Sequence, residues 1–146
     1  MEPFDEMTVQ QRMVPASKVL RAAAEILGRG WCQKHMGEHE GEWVTFQHLQ
    51  PGAMMNRLCL VGAITQAAVD LVGASVGSLA RSECDLPPES MAARQSMRRA
   101  VGVVERHLSG NFHRQAADWN DAPGRRVEEV QTLLLKTSAQ EEAAGR

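Results

Sequence analysis

Tyrosine is absent from this chain of 146 residues, and Trp and Phe contribute only three each. Nowhere do Val, Ile, Thr and aromatic residues alternate with polar ones over a strand's length, which argues against a β-sandwich or barrel. The longest apolar stretch, residues 58–72, is interrupted by Gln66 and Asp70 and falls short of the ~20 consecutive apolar residues of a membrane span. A net charge of −2 lacks the excess of either sign that draws a whole domain to nucleic acid or to an anionic membrane. Cysteine is scarce: Cys32, Cys59 and Cys84 are an odd number without framework spacing, and the first six residues are acidic where a signal peptide is basic. The expected compartment is therefore a reducing cytoplasm.

What is present favours helix. The apolar fraction is 43% and includes eight Met and many Ala, and a chain of this length can bury roughly two thirds of the surface its unfolded form exposes. No metal or disulfide is needed to hold such a core. On a helical wheel, Leu60, Val61, Ile64, Ala67, Ala68, Leu71 and Val72 gather on one broad side of residues 58–72,. The other side carries Cys59, Gly62, Ala63, Gln66 and Asp70, a stripe of small and polar groups. That stripe suits close packing of a neighbour against Gly62, or else a cleft with a thiol at its base.

Around this segment the periodicity predicts further helices. One runs over 18–27 after Pro15 and Ser17, with Leu20, Ala23, Ile26 and Leu27 inward and Gly28 and Gly30 as the stop,. Trp31 follows and is expected to fold back over the core. Residues 32–56 lose the pattern and read as a long, mostly exposed excursion in which Trp43 to Phe46 form a short extended piece without an evident partner. Asn56 is the expected N-cap of the central helix. A third helix covers about 89–108, capped by Asp85, with Met97, Val101, Val104 and Leu108 on one face. A short helix over 111–118 aligns Phe112 and Ala116 with Trp119, and a last one spans 127–137 with Val127, Val130, Leu133, Leu134 and Thr137 inward. The expected architecture is all-α: a compact bundle of four to five helices around the central apolar helix, which the first, third and last surround. Residues 1–14 form an N-terminal arm, 15–138 a single helical domain and 139–146 a frayed polar tail.

Three groups of residues carry potential chemistry. Cys32, His35 and His39 have a spacing that one helical turn could bring to a zinc ion, but no fourth ligand or open position with a base can be named,. A glycine-broken surface loop accounts for them, and no metal or cofactor is expected. Cys59 stands where a helix dipole would favour a thiolate, yet no imidazole is placed beside it, so no catalytic residue is assigned. Arg94, Arg98, Arg99, Arg106 and Arg114 flank a helix, turn, helix pattern, which a solvated basic face explains as well as a DNA reader does.

The sharpest pattern is Trp119-Asn-Asp-Ala-Pro-Gly-Arg125. Pro123-Gly124 suits the centre of a type II turn, Asn120 and Asp121 can bind loose backbone N–H groups, and Trp119 can anchor the loop. The same loop could instead present Asn120, Asp121 and Arg125 for recognition. Together with Gly30-Trp31 and Gln33, and with Cys59-Leu-Val-Gly-Ala-Ile64, this motif resembles a family of small uncharacterised proteins from actinobacteria and their phages. The resemblance spans roughly residues 20–138. It implies a fold and a provenance but no activity. Arg126 departs from it, standing where a Thr typically starts the last helix and opens a capping box with Glu129.

The function expected is that of a small cytoplasmic protein-binding or regulatory module, phage-encoded and acting on a host protein. The binding candidates are Trp31, Cys59, Trp119, Asn120, Asp121 and Arg125. The alternative is a small-ligand binder or thiol-dependent enzyme with a cleft near Cys59, and a third reading is a DNA-binding regulator using Arg94, Arg98 and Arg99. The partner is expected to be another protein rather than nucleic acid or membrane, with oligomeric state open.

Overall fold

The computed structural model describes residues 8–46, 54–74, 86–109 and 115–146. Among these, six helices and three short strands follow the order α1 (Val9–Arg12), α2 (Ala16–Arg29), β1 (Gly37–His39), β2 (Glu42–Val44), β3 (Arg57–Leu58), α3 (Leu60–Val72), α4 (Pro88–His107), α5 (Ala116–Asn120) and α6 (Val127–Ala143). The fold is mostly helical, with a three-stranded antiparallel sheet in the order β2-β1-β3. An all-α class is thus too strict. The expected roles of the first seven residues, His48, Cys84, Asp85, Phe112, His113 and Arg114 lie outside the described residues.

α2 is the packing hub. It lies against α3, α4 and α6, whereas α3 packs on α2, α4 and α5. This corrects the expectation that residues 58–72 form the centre. The reason is in the side chains: α2 buries Ala16, Val19, Leu20, Ala23, Ala24, Ile26 and Leu27, and its alanines let helices approach on several sides. Each large side chain buried this fully contributes about 1.5–3 kcal/mol. The helix starts after Pro15, whose fixed φ suits an entry, and Ser17 lies buried within the first turn rather than capping it,. Against α4 the contact layer is also small-residued, with Ala92, Ala93, Ser96 and Ala100 buried. Met97 and Val101, expected inside, are only half-buried.

α3 begins two residues later than expected because Arg57 and Leu58 belong to β3. Cys59 is its N-cap, with Sγ accepting the Gly62 N–H at 3.3 Å. Asn56 secures the β1 hairpin instead, its N–H donating to the Glu38 carbonyl at 2.7 Å and its Oδ1 accepting the Glu40 N–H at 2.8 Å. α3 ends at Gly73, whose φ of +86° is the left-handed C-cap conformation,. Leu71, placed inward by the wheel, is 44% exposed.

The sheet occupies the segment expected to be an excursion. β1 and β2 are joined by Glu40 and Gly41 with φ of +50° and +88°, the signs that a type I′ hairpin turn needs,. β3 pairs with the other edge of β1, and Trp31 bridges to Leu58 in parallel. Phe46 turns inward at 6% exposure, while Trp43 stays outside at 49%, where His35 stacks on it at 4.1 Å.

α6 runs to Ala143, beyond the expected end at Thr137, and buries Val130, Leu134, Thr137, Ser138 and Glu141. Its first turn shows what Arg126 does to the capping box. The Glu129 carboxylate reaches back to the Arg126 N–H at 3.0 Å, but an arginine side chain has no acceptor to return the bond. That backbone hydrogen bond, then the nearby Arg125 side chain, hold the Glu129 carboxyl below its ordinary range. Half the box is therefore present. Arg126→Thr would complete it and is expected to raise the unfolding free energy by about 0.5–1 kcal/mol in urea denaturation. No gain would show that the Arg126 side chain supplies an equal contact.

Candidate functional site

The three motifs singled out in the sequence converge on Asn120, which has no exposed surface. α5 delivers this residue, and its own start is fixed because the Ala116 N–H donates to the Glu105 carboxylate at 2.8 Å. The Asn120 Oδ1 accepts two hydrogen bonds, from Trp31 Nε1 at 2.7 Å and from the Leu60 N–H at 3.1 Å. Its Nδ2 donates two, to the Cys32 carbonyl at 3.2 Å and to Asp121 Oδ1 at 3.0 Å. An amide side chain has two donor and two acceptor positions, so its whole capacity is used inside the protein.

The surrounding groups are bound in the same way. Gln33 Nε2 donates to the carbonyls of Asn120 and Ala122, at 2.9 and 3.0 Å, and the Lys34 N–H donates to Asp121 Oδ1 at 2.7 Å. Pro123-Gly124 form the centre of a turn closed by the Arg125 N–H and the Ala122 carbonyl at 3.1 Å, with Gly124 at φ +78°. Arg125 folds over the Trp119 ring at 3.8 Å, donates through Nε to the Trp119 carbonyl at 2.9 Å and pairs with Glu129 at 3.2 Å. Trp31, Cys59, Trp119, Asn120, Asp121 and Arg125 are thus gathered into one region, and their hydrogen bonds run to one another, to neighbouring backbone and to Glu129.

What faces Cys59 and Gly62 is the chain entering β1. The Met36 carbonyl accepts the Cys59 N–H at 2.9 Å and lies 2.7 Å from where a Cβ on Gly62 would stand. Gln66 and Asp70, further along the stripe, bond to each other at 2.8 Å. Cys32 is buried, with Sγ directed to the His35 carbonyl at 3.5 Å. Burial, with Cys59 beside it, pushes the Cys32 thiol from 9.0 up to about 11. Burial likewise raises the Cys59 thiol, against the opposing effect of the Gly62 N–H. That rise lowers the thiolate fraction by roughly two orders of magnitude. Iodoacetamide at neutral pH should therefore modify native Cys32 at least about a hundredfold more slowly than the denatured chain, with Cys59 also retarded, as read by peptide mapping that separates Cys84. Alkylation of Cys59 at the rate of a free thiol would restore the thiol-enzyme reading.

The zinc spacing is not assembled either. The His35 ring lies on Trp43, and His39 Nδ1 is engaged by the Met54 carbonyl at 2.7 Å. Among the described residues no group of three or more His, Cys, Asp or Glu side chains is placed to hold a metal ion. Nor, among them, is any helix long and apolar enough to cross a membrane.

Two surface features lie away from this region. Between α2 and α3 runs an open groove of about 420 Å³ with Ala22, Ile26, Ala67 and Leu71 on its walls and Glu25 and Asp70 beside them. It adjoins a smaller hollow through Ile26 and Arg29, where Met54 is 63% exposed. A second cleft, of about 290 Å³, lies where α1, α4 and α6 meet. Neither is evident in the sequence: the wheel puts Leu71 in the core, and the arginines of α4 have no aligned partner along the chain.

The fold defines a small helical domain with an accessory sheet, locked by a buried asparagine. The profile of a family of unknown function, DUF6197, covers residues 11–140, and the chain belongs to that family. No curated protein and no solved structure matches it.

Proposed function

We propose that the protein is a non-enzymatic binding module that docks a partner protein in the groove between α2 and α3. The observation that carries this reading is the exposure of Leu71 on the groove and of Met54 in the hollow that adjoins it, since large apolar side chains left at the surface beside a concavity mark contact sites. Glu25 and Asp70 outnumber the one cation, Arg29, on the same groove and favour a partner segment that presents an apolar side chain flanked by lysine or arginine. The Trp119 to Arg125 loop supports the groove from within by fixing α3 rather than by touching the partner. Motif resemblance to actinobacterial and phage proteins supports a phage-encoded origin and a cytoplasmic host protein as partner.

The test is site-specific photo-crosslinking in the native host. A photoreactive residue at Leu71 should capture one defined protein, and Leu71→Glu should weaken binding of that protein by at least about tenfold with the melting temperature retained. Capture through position 121 that is indifferent to Leu71→Glu would move the interface to the loop and end this reading.

A further inference from the structure

We propose that the cleft between α1, α4 and the end of α6 is a binding site for an amphipathic organic anion, a phosphate or carboxylate head on a short apolar body. This goes beyond the groove reading and does not depend on it.

Arg99, Val103 and Arg106 follow one another on a single face of α4, at spacings that place them one above the next,. The two backbone positions lie about 10 Å apart along the axis with Val103 between them. Among the described residues Arg99 reaches the Met13 sulfur, at 3.9 Å, and neither Arg99 nor Arg106 meets a carboxylate. A third guanidinium on the cleft, that of Arg146, is already matched by Glu141 at 2.8 Å. Glu141 is thereby matched, which leaves Arg99 and Arg106 as the guanidinium groups of the cleft without a carboxylate side-chain partner among the described residues. Glu105, the acidic residue of α4 nearest Arg106 in sequence, is committed to the Ala116 N–H.

The floor is apolar. Met13 and Val14, both half-buried, form its accessible part, above the nearly covered Ala16 and Val103. A bare inorganic anion would satisfy the arginines and leave this floor wet, while a neutral apolar ligand would fill the floor and leave the arginines unmatched. A molecule carrying both features answers both, and the volume sits at the small end of known ligand sites. The phosphate backbone of a nucleic acid would meet Arg99 and Arg106 without using the concavity, which is why a small amphiphile fits better.

Calorimetric titration of the full chain decides the matter, with hexyl phosphate, heptanoate, inorganic phosphate and 1-hexanol as probes. One or both amphiphiles should bind with one-to-one stoichiometry, at least about tenfold more tightly than inorganic phosphate or hexanol; which of the two is preferred tells phosphate from carboxylate. The double variant Arg99→Gln, Arg106→Gln should lose at least about tenfold in affinity while its melting curve stays close to wild type. Should the variant unfold, Val14→Thr, at a half-buried position on the cleft wall, gives the second reading: weaker hexyl phosphate binding with the arginines intact. Amphiphiles that bind no better than hexanol, or equally well to the double variant, overturn the proposal. So does a DNA duplex that binds through the same arginines while both amphiphiles fail.

Discussion

Asn120→Ala is expected to lower the unfolding free energy by about 3–5 kcal/mol in chemical denaturation. The substitution removes four hydrogen bonds at a position without solvent access and leaves the Trp31 indole N–H, the Leu60 N–H and the Cys32 carbonyl without their partner. Unmet polar groups dominate the loss, because each retains its desolvation penalty. Asn120→Asp separates donor from acceptor. It preserves Oδ1 for Trp31 and Leu60 but turns an oxygen toward the Cys32 carbonyl and the Asp121 carboxylate. Repulsion and burial would raise the new carboxyl's pKa in the folded state, so its deficit relative to wild type should be full at neutral pH and shrink as pH falls toward about 4. A loss under about 1 kcal/mol for Asn120→Ala would mean that water replaces the side chain.

Gly62→Ala should destabilise the protein by about 1–3 kcal/mol, although glycine to alanine inside a helix ordinarily stabilises by up to about 1 kcal/mol. Sterics reverse the sign. A Cβ at this position would stand 2.7 Å from the Met36 carbonyl oxygen and 3.0 Å from Leu58, and Met36 cannot withdraw without breaking its bond to the Cys59 N–H. Gly102 in α4 is the control, since nothing lies within 4 Å of its would-be Cβ. Gly102→Ala should stabilise by up to about 1 kcal/mol. If both variants shift in the same direction, the contact between β1 and α3 is looser than described.

The helices were legible because their signals are local and repeated. Leu20, Ala23, Ile26 and Leu27 recur with the helical period, α3 ends at Val72 as expected, and α2 runs through Gly28 to Arg29, two residues past its expected end, before Gly30 stops it. The sheet was illegible for the opposite reason. Strands of two or three residues are too short for alternation to register, and the hairpin turn uses Glu40 before Gly41 where Asn or Asp would have announced it. The site was half legible. Its residues stood out as three motifs, and the Asx bonding and the Pro123-Gly124 turn follow from residue chemistry alone. That the motifs bond to each other could not be read, because side chains far apart in sequence leave no spacing to count. Surface features suffered most, since Leu71 obeys the helical pattern yet sits on the open wall of a groove.

The Asn120 side chain joins partners 60, 88 and 89 residues away along the chain. Loops of that length close late in folding, after local helices such as α2 and α4 have begun to form. The locking contacts are therefore expected to form on the native side of the rate-limiting barrier. Substitutions at Asn120 should leave the refolding rate nearly unchanged and accelerate unfolding, so this one buried amide governs how long a folded molecule persists more than how quickly it is made.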